Sequence, residues 1–222
     1  MQVSGSWCSI NLEKTNMGIC LSGDALGEEG DEQEESFRKP HYYRSREGPK
    51  FRVLNYTSHY EYRQYGESSW ISTRLEGREL NKALSKGDKI LARYFNGTNG
   101  PEKVMDLTCP LKLRVEFGKE AYGPWSEADV VASLHLPYDS VKCPPAPKES
   151  GLFIQDAAEH FAYVSSFEGF ATEQIWHDEV IKLRRVLDGE GKKYDKQAVF
   201  VARYENLLHL GKKRNEVILI QN

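Results

Sequence analysis

The sequence predicts an α+β fold: a distorted, largely antiparallel eight-stranded β-barrel flanked by two helices, built from two strand–strand–helix–strand–strand repeats. Three observations predict it. The first is a near-duplication. Trp70 to Leu75 reads as a strand, Glu76-Gly77 closes it, and a helix pattern follows; 92 residues later, Ala162 to Phe167, Glu168-Gly169 and a second helix pattern repeat that order. Without a gap, Glu76 falls on Glu168, Gly77 on Gly169, Leu91 on Leu183, Arg93 on Arg185 and Gly97 on Gly189. The second is the apolar period, which is near two in the flanking segments and 3.6 in the helices. The third is Cys143-Pro144-Pro145-Ala146-Pro147, a stiff extended connector between repeat one, about 51–140, and repeat two, about 150–222.

Residues 1–45 lack apolar periodicity and contain the acidic run Gly27 to Glu35, so they read as a disordered, solvated tail ahead of a domain over 46–222. Over 51–65, Phe51, Val53, Tyr60, Tyr62 and Tyr65 stand at near-alternating positions, which favours strand. Helix one is expected over about 79–95. Leu80, Ala83, Leu84, Gly87, Leu91 and Tyr94 form its apolar face, and Lys82, Lys86, Lys89 and Arg93 line another. Such a basic stripe serves either as a solvated face or as an anion site for carboxylates. Turn-formers from Asn96 to Pro101 end the helix.

From Val104 to Phe117 the period becomes two. Leu111, Leu113, Val115 and Phe117 alternate with Lys112, Arg114 and Glu116, the pattern of a strand with one buried and one wet face. Pro110 has no N–H for a ladder, which implies an edge or a bulge there. Val130 to Leu136 reads as the antiparallel partner. The second repeat has strands near 152–156 and 160–168, then a helix over about 172–187. Thr172 is its N-cap and Ile175, Trp176, Val180, Leu183 and Leu187 its buried stripe. Strands near 198–204 and 216–221 end the chain.

With 39% hydrophobic residues, including 12 Tyr, 9 Phe and 4 Trp, the 222-residue chain can build a core. Its net charge of -3 is uneven: residues 1–39 carry eight acids and three bases, leaving the remainder near +2. A nearly neutral domain without a basic stripe across both helices argues against nucleic acid as a partner. Four cysteines without regular spacing, and no secretory signal, fit a cytoplasmic protein with reduced thiols. No apolar run reaches the length of a membrane span. Met17-Gly18-Ile19-Cys20-Leu21-Ser22 has the form of an N-myristoylation site, with Cys20 placed for a second acyl chain. It operates only if translation starts at Met17; the alternative is coincidence within the tail.

Catalytic signatures are missing: no Gly-x-Ser-x-Gly, no His-Glu-x-x-His, no Walker loop and no dinucleotide fingerprint after a strand. The six histidines are dispersed, none paired at metal-ligand spacing. Residue types alone thus predict a non-enzymatic barrel that binds an unspecified ligand.

Several segments carry a resemblance that goes further. Tyr60-Glu61-Tyr62-Arg63-Gln64-Tyr65 followed by Trp70-Ile71-Ser72-Thr73 resembles the opening of the SOUL, or heme-binding protein, family. Leu107-Thr108-Cys109-Pro110-Leu111, Gly123-Pro124-Trp125-Ser126-Glu127, Pro144 to Ser150 and Arg214 to Gln221 follow in the family's order, over about residues 50–222. The resemblance implies a twisted barrel with two helices and non-covalent binding of heme or another tetrapyrrole, without a known reaction.

Heme requires apolar walls, cations for two propionates and, optionally, an axial iron ligand. Lys86, Lys89 and Arg93 of helix one are the candidate cations, and family members tend to carry a basic residue where Arg93 stands. His209, Lys212 and Lys213, before the last strand, are candidates for the other side. Some members carry a histidine, suggested as an iron ligand, where this chain has Gln64. Cys109-Pro110 and Cys143-Pro144 offer thiolates instead, because Cys-Pro recurs at heme contacts. A buried small hydrophobe is the alternative for Cys109, and a loop residue for Cys143. Beside the tetrapyrrole carrier or buffer stands a second function class, an interaction or scaffold protein that offers the barrel surface or a helix to a protein partner.

Overall fold

The computed structural model describes residues 39–75, 79–117, 129–205 and 213–222. Among these residues nine strands form one sheet: β1 (Phe51–Tyr56), β2 (Glu61–Tyr65), β3 (Ser68–Leu75), β4 (Leu111–Glu116), β5 (Asp129–His135), β6 (Leu152–Ala157), β7 (His160–Glu168), β8 (Ala198–Arg203) and β9 (Arg214–Ile220). Helix α1 (Leu80–Phe95) joins β3 to β4, and α2 (Glu173–Gly189) joins β7 to β8. The strand order is β1-β2-β7-β9-β8-β4-β5-β3-β6, with every pairing antiparallel. The sheet curls into a half-barrel with two helices, one strand more than the eight expected. The extra strand arises because 51–65 folds back on itself. Thr57 Oγ1 accepts from the backbone N–H groups of His59 and Tyr60, at 3.1 and 3.0 Å, and turns β1 onto β2.

Strand alternation assigns the two faces of the sheet. Ile71, Leu113, Val115, Ala132, Val199, Val201, Val217 and Leu219 face the helices. They meet Leu84, Leu91 and Tyr94 of α1 and Trp176, Leu183 and Leu187 of α2 in one buried core. The expected stripe of α1 is buried throughout, and Gly87 explains how close the helix lies. A Cβ there would come within 2.6 Å of Ala132 Cβ on β5. In α2 Thr172 is the N-cap, its hydroxyl accepting from Ile175 N–H at 3.3 Å. Ile175 itself is 38% exposed, contrary to expectation. It lies about 100° round the helix from Trp176, and the buried face continues instead through Val180, Leu183, Arg184 and Leu187. Pro110 also differs from expectation. It stands just before β4, which pairs without a register break to both β5 and β8, so its missing N–H falls outside the ladder.

The opposite face carries Trp70, Ser72, Lys112, Ser133, Phe200 and Glu216. Here Arg63 and Glu216, both fully buried, pair through two bonds of 3.2 and 3.0 Å. Tyr204 donates its hydroxyl to Glu216 at 2.6 Å and Arg214 Nε donates at 3.0 Å, so the carboxylate is saturated. Over this cluster lies the segment before β1: Tyr43 is 1% exposed, stacks on Tyr204 and donates its hydroxyl to the Pro49 carbonyl at 2.9 Å.

Candidate functional site

Helix α1 turns Asp88, Lys89 and Ala92 toward a cavity of about 440 Å³. Leu111 of β4, Leu134 of β5 and Arg203 at the end of β8 form its base, with Leu107 and Thr108 from the loop before β4. Arg44, Ser45 and Arg46 close it from the segment before β1, and Tyr204 and Glu205 from the chain after β8. The volume lies within the range of small-molecule sites.

Its charges are unevenly satisfied. Arg203 is 7% exposed, its Nη2 is 3.6 Å from Asp88 Oδ2, and its Nε is buried without a hydrogen-bond partner. Burial lowers the Arg203 pKa more than Asp88 raises it. Arg44 lies 3.7 Å from Glu205, and Arg46 donates to the Tyr204 carbonyl. Lys89 has no ion pair among the described residues. Four cations therefore face two carboxylates around an apolar floor of Ala92, Leu107, Leu111 and Leu134. This arrangement suits a ligand with an apolar body and acidic groups. Proton transfer has little to work with. The Tyr204 hydroxyl is committed to Glu216, and burial raises its pKa far above the ordinary phenol. Among the described residues no His or Cys lines the cavity, and no group of three or more His, Cys, Asp or Glu is placed to hold a metal ion.

Of the cations expected from the sequence, Lys89 lines this cavity. Lys86 is exposed on the same helix and is not part of the wall. Arg93 is occupied elsewhere: its Nε and Nη2 donate to Glu149 at 2.7 and 2.6 Å, and those bonds hold the Glu149 carboxyl below its usual pKa. Lys213 lies outside the wall, its Nζ 5.5 Å from the centre of the Phe170 ring. His209 and Lys212 fall outside the described residues, as do Gly18 and Cys20; the segment holding the first two directly follows Glu205 of the wall.

Neither cysteine lines the cavity. Cys109 is fully buried and burial pushes its thiol up to about 12, so it is a thiol at neutral pH and a poor metal ligand as placed. Cys143 is exposed in the connector. Gln64 accepts from Arg52 Nε at 2.9 Å and donates to Glu159 at 2.7 Å, on an exposed part of the surface.

Sequence reasoning missed Arg44, Arg46 and Arg203. A signal existed for the last. It has the same parity as Val199 and Val201, which makes it an arginine on the apolar side of a strand.

The sequence profile described as SOUL heme-binding protein matches residues 46–220. Heme-binding protein 2 of Homo sapiens is 36% identical over 162 residues, covering 73% of this chain and 78% of the relative. Heme-binding protein 1 of Xenopus laevis is 26% identical over 163 residues, covering 73% and 84%. Among solved structures, the C-terminal domain of EcmrR superposes with a TM-score of 0.54 at 11% identity, covering 78% of this chain and 98% of that one, a likeness of fold alone.

Proposed function

This chain belongs to the SOUL heme-binding protein family, and on that premise we propose that it binds heme or a related tetrapyrrole, non-covalently, in the cavity beside α1. It serves as a cytoplasmic carrier or buffer and runs no reaction of its own. The observation that carries this reading is Arg203, a nearly buried guanidinium with one orphaned nitrogen in an apolar-floored cavity. A buried cation short of partners is costly alone and is relieved by a carboxylate. Arg203 would hold one propionate and Lys89 a second, and Leu107, Leu111 and Leu134 would pack against the macrocycle. Heme would supply an iron centre there, and Cys109, fully buried and outside the wall, is unsuited to ligate it. Affinity therefore comes from the walls and the cations.

The test is a titration of hemin into the full chain, followed at the Soret band, for wild type, Lys89→Glu and Arg203→Met. A saturable change that weakens about tenfold in either variant, roughly 1.4 kcal/mol, supports the site. Equal titrations for all three remove the cavity from the reading, and no saturable change removes heme binding. The interaction-protein reading would then remain. It draws support from edge strand β1, where Val53, Leu54 and Tyr56 are exposed.

A further inference from the structure

A second cavity, of about 380 Å³, lies on the face of the sheet opposite the helices. The curl encloses it: β2, β3, β4, β6, β7, β8 and β9 all contribute to its lining. Trp70, Phe200, Ile218 and Ile220 give it apolar walls, and Lys112 projects into it from near the start of β4.

Lys112 is the anomaly. Its Nζ lies 3.5 Å from the centre of the Trp70 ring and 5.1 Å from that of Phe200. The rings are favourable neighbours for an ammonium, but they supply no counter-charge. Arg114, the other Lys or Arg in the cavity wall, pairs with Glu116, and Arg63 and Arg214 on the same face share Glu216. Two carboxylates also line the cavity, and both are engaged away from Lys112. Asp156 accepts from Ser69 Oγ at 2.6 Å, and Glu159 accepts from Gln64 at 2.7 Å. An amine placed among aromatic walls without a partner charge is a destabilising choice for a core. Such choices persist where a ligand completes the pair.

We propose that this cavity is a second ligand site, taking an amphipathic monocarboxylate whose head pairs with Lys112 and whose apolar body packs against Trp70, Phe200, Ile218 and Ile220. The site is separate in kind from the cavity beside α1. It holds one free cation rather than four cations, and its space suits a single acyl chain of medium length or a small aryl acid. Tyr204 is the wall common to both.

Decanoate is the probe, added to the full chain and followed by titration calorimetry, with decanol as the neutral-headed control. Wild type should bind decanoate saturably at one site and decanol at least about tenfold more weakly. Lys112→Met keeps the length and apolar stem of the side chain, and should lose that preference while its circular dichroism stays that of wild type. Lys142→Glu, at an exposed lysine that lines neither cavity, should bind decanoate as wild type does, which shows that a lost surface charge alone does not weaken binding. Decanoate bound as tightly by Lys112→Met as by wild type overturns the proposal, as does the absence of saturable binding to wild type. Should Lys112→Met fail to fold, Trp70→Phe at the same wall, together with the decanol comparison on wild type, decides the matter. A wild type that binds acid and alcohol alike refutes the charge pairing.

Discussion

Glu173, in the first turn of α2, accepts a hydrogen bond from the backbone N–H of Asn81, in the first turn of α1, at 2.6 Å. The Asn81 side chain returns the contact, donating to the Ala171 carbonyl at 3.1 Å. Helix α1 needs this help. Its own N-cap residue, Glu79, makes no capping bond with its side chain, and no acid stands in its first turn. A carboxylate from the other helix therefore satisfies an orphan donor and faces the positive end of the α1 dipole.

Replacing Glu173 by Ala should destabilise the protein by about 1 kcal/mol, the usual size of a lost cap. Glu173→Gln keeps an acceptor and loses the charge, so it should cost less. Urea midpoints for the two variants check this; equal stability of Glu173→Ala and wild type would mean the bond contributes nothing in solution.

The Arg63–Glu216 pair sets an acid limit. Burial alone would raise the Glu216 carboxyl, but the guanidiniums of Arg63 and Arg214 outweigh it and hold the pKa below the ordinary 4.5. A carboxyl lowered on folding contributes stability that is present above its unfolded pKa and is lost as pH falls through the folded value. Arg63→Met should cost about 3–5 kcal/mol at neutral pH, because it leaves the buried Glu216 carboxylate with Arg214 as its one remaining cation. It should also flatten the loss of stability between pH 4.5 and lower values. Denaturation midpoints measured against pH for both proteins would show it.

Lys112 opposes the fold at neutral pH instead of supporting it. Burial and the nearby Arg114 lower its pKa from 10.5 to about 7, so between those values the unfolded chain holds a proton that the folded chain has released. Stability therefore gains a component that grows as pH rises from 7 toward 10.5. Lys112→Met should be the more stable protein at pH 7, with the gap narrowing at higher pH. A gap that stays constant across that range would show that Lys112 is charged throughout.

Tyr43 makes the stretch before β1 part of the folded body. Tyr43→Ala removes a buried aromatic stacked on Tyr204 and should cost about 3–5 kcal/mol. A chain begun at Phe51 should melt below one begun at Lys39 for the same reason. Calorimetric midpoints that coincide would place Tyr42 and Tyr43 outside the cooperative unit.

What could be read in advance follows from which forces are local. The buried stripe of α1 and the alternation of β4 are periodic, and period survives in a sequence whatever the chain later meets. The Arg63–Glu216 pair does not. Its members are 153 positions apart, on β2 and β9, and they meet only because both strands pair with β7. Tyr42 and Tyr43 sit in a polar stretch with no period, so nothing local distinguishes them from tail. The candidate site divides the same way. Lys89 was visible because a helix orders its own face, while Arg44 and Arg203 converge on it through tertiary packing. Arg93 looked equivalent to Lys89 until Glu149, 56 positions on, claimed it.

In β4 neighbouring residues serve different compartments: Leu111, Leu113 and Val115 reach the helices, and Lys112 and Arg114 reach the inner cavity. Inserting or deleting one residue there would exchange them, driving an ammonium into the helix core and a leucine into the ligand space. Descendants of this chain can therefore change length at β4 only in pairs. Edge strand β1 is under no such rule. Its pairing with β2 already slips between Val53 and Asn55 without disturbing either cavity. Single-codon indels should survive at that rim and vanish from the centre, so a library of one-residue insertions would trace the two compartments by survival alone.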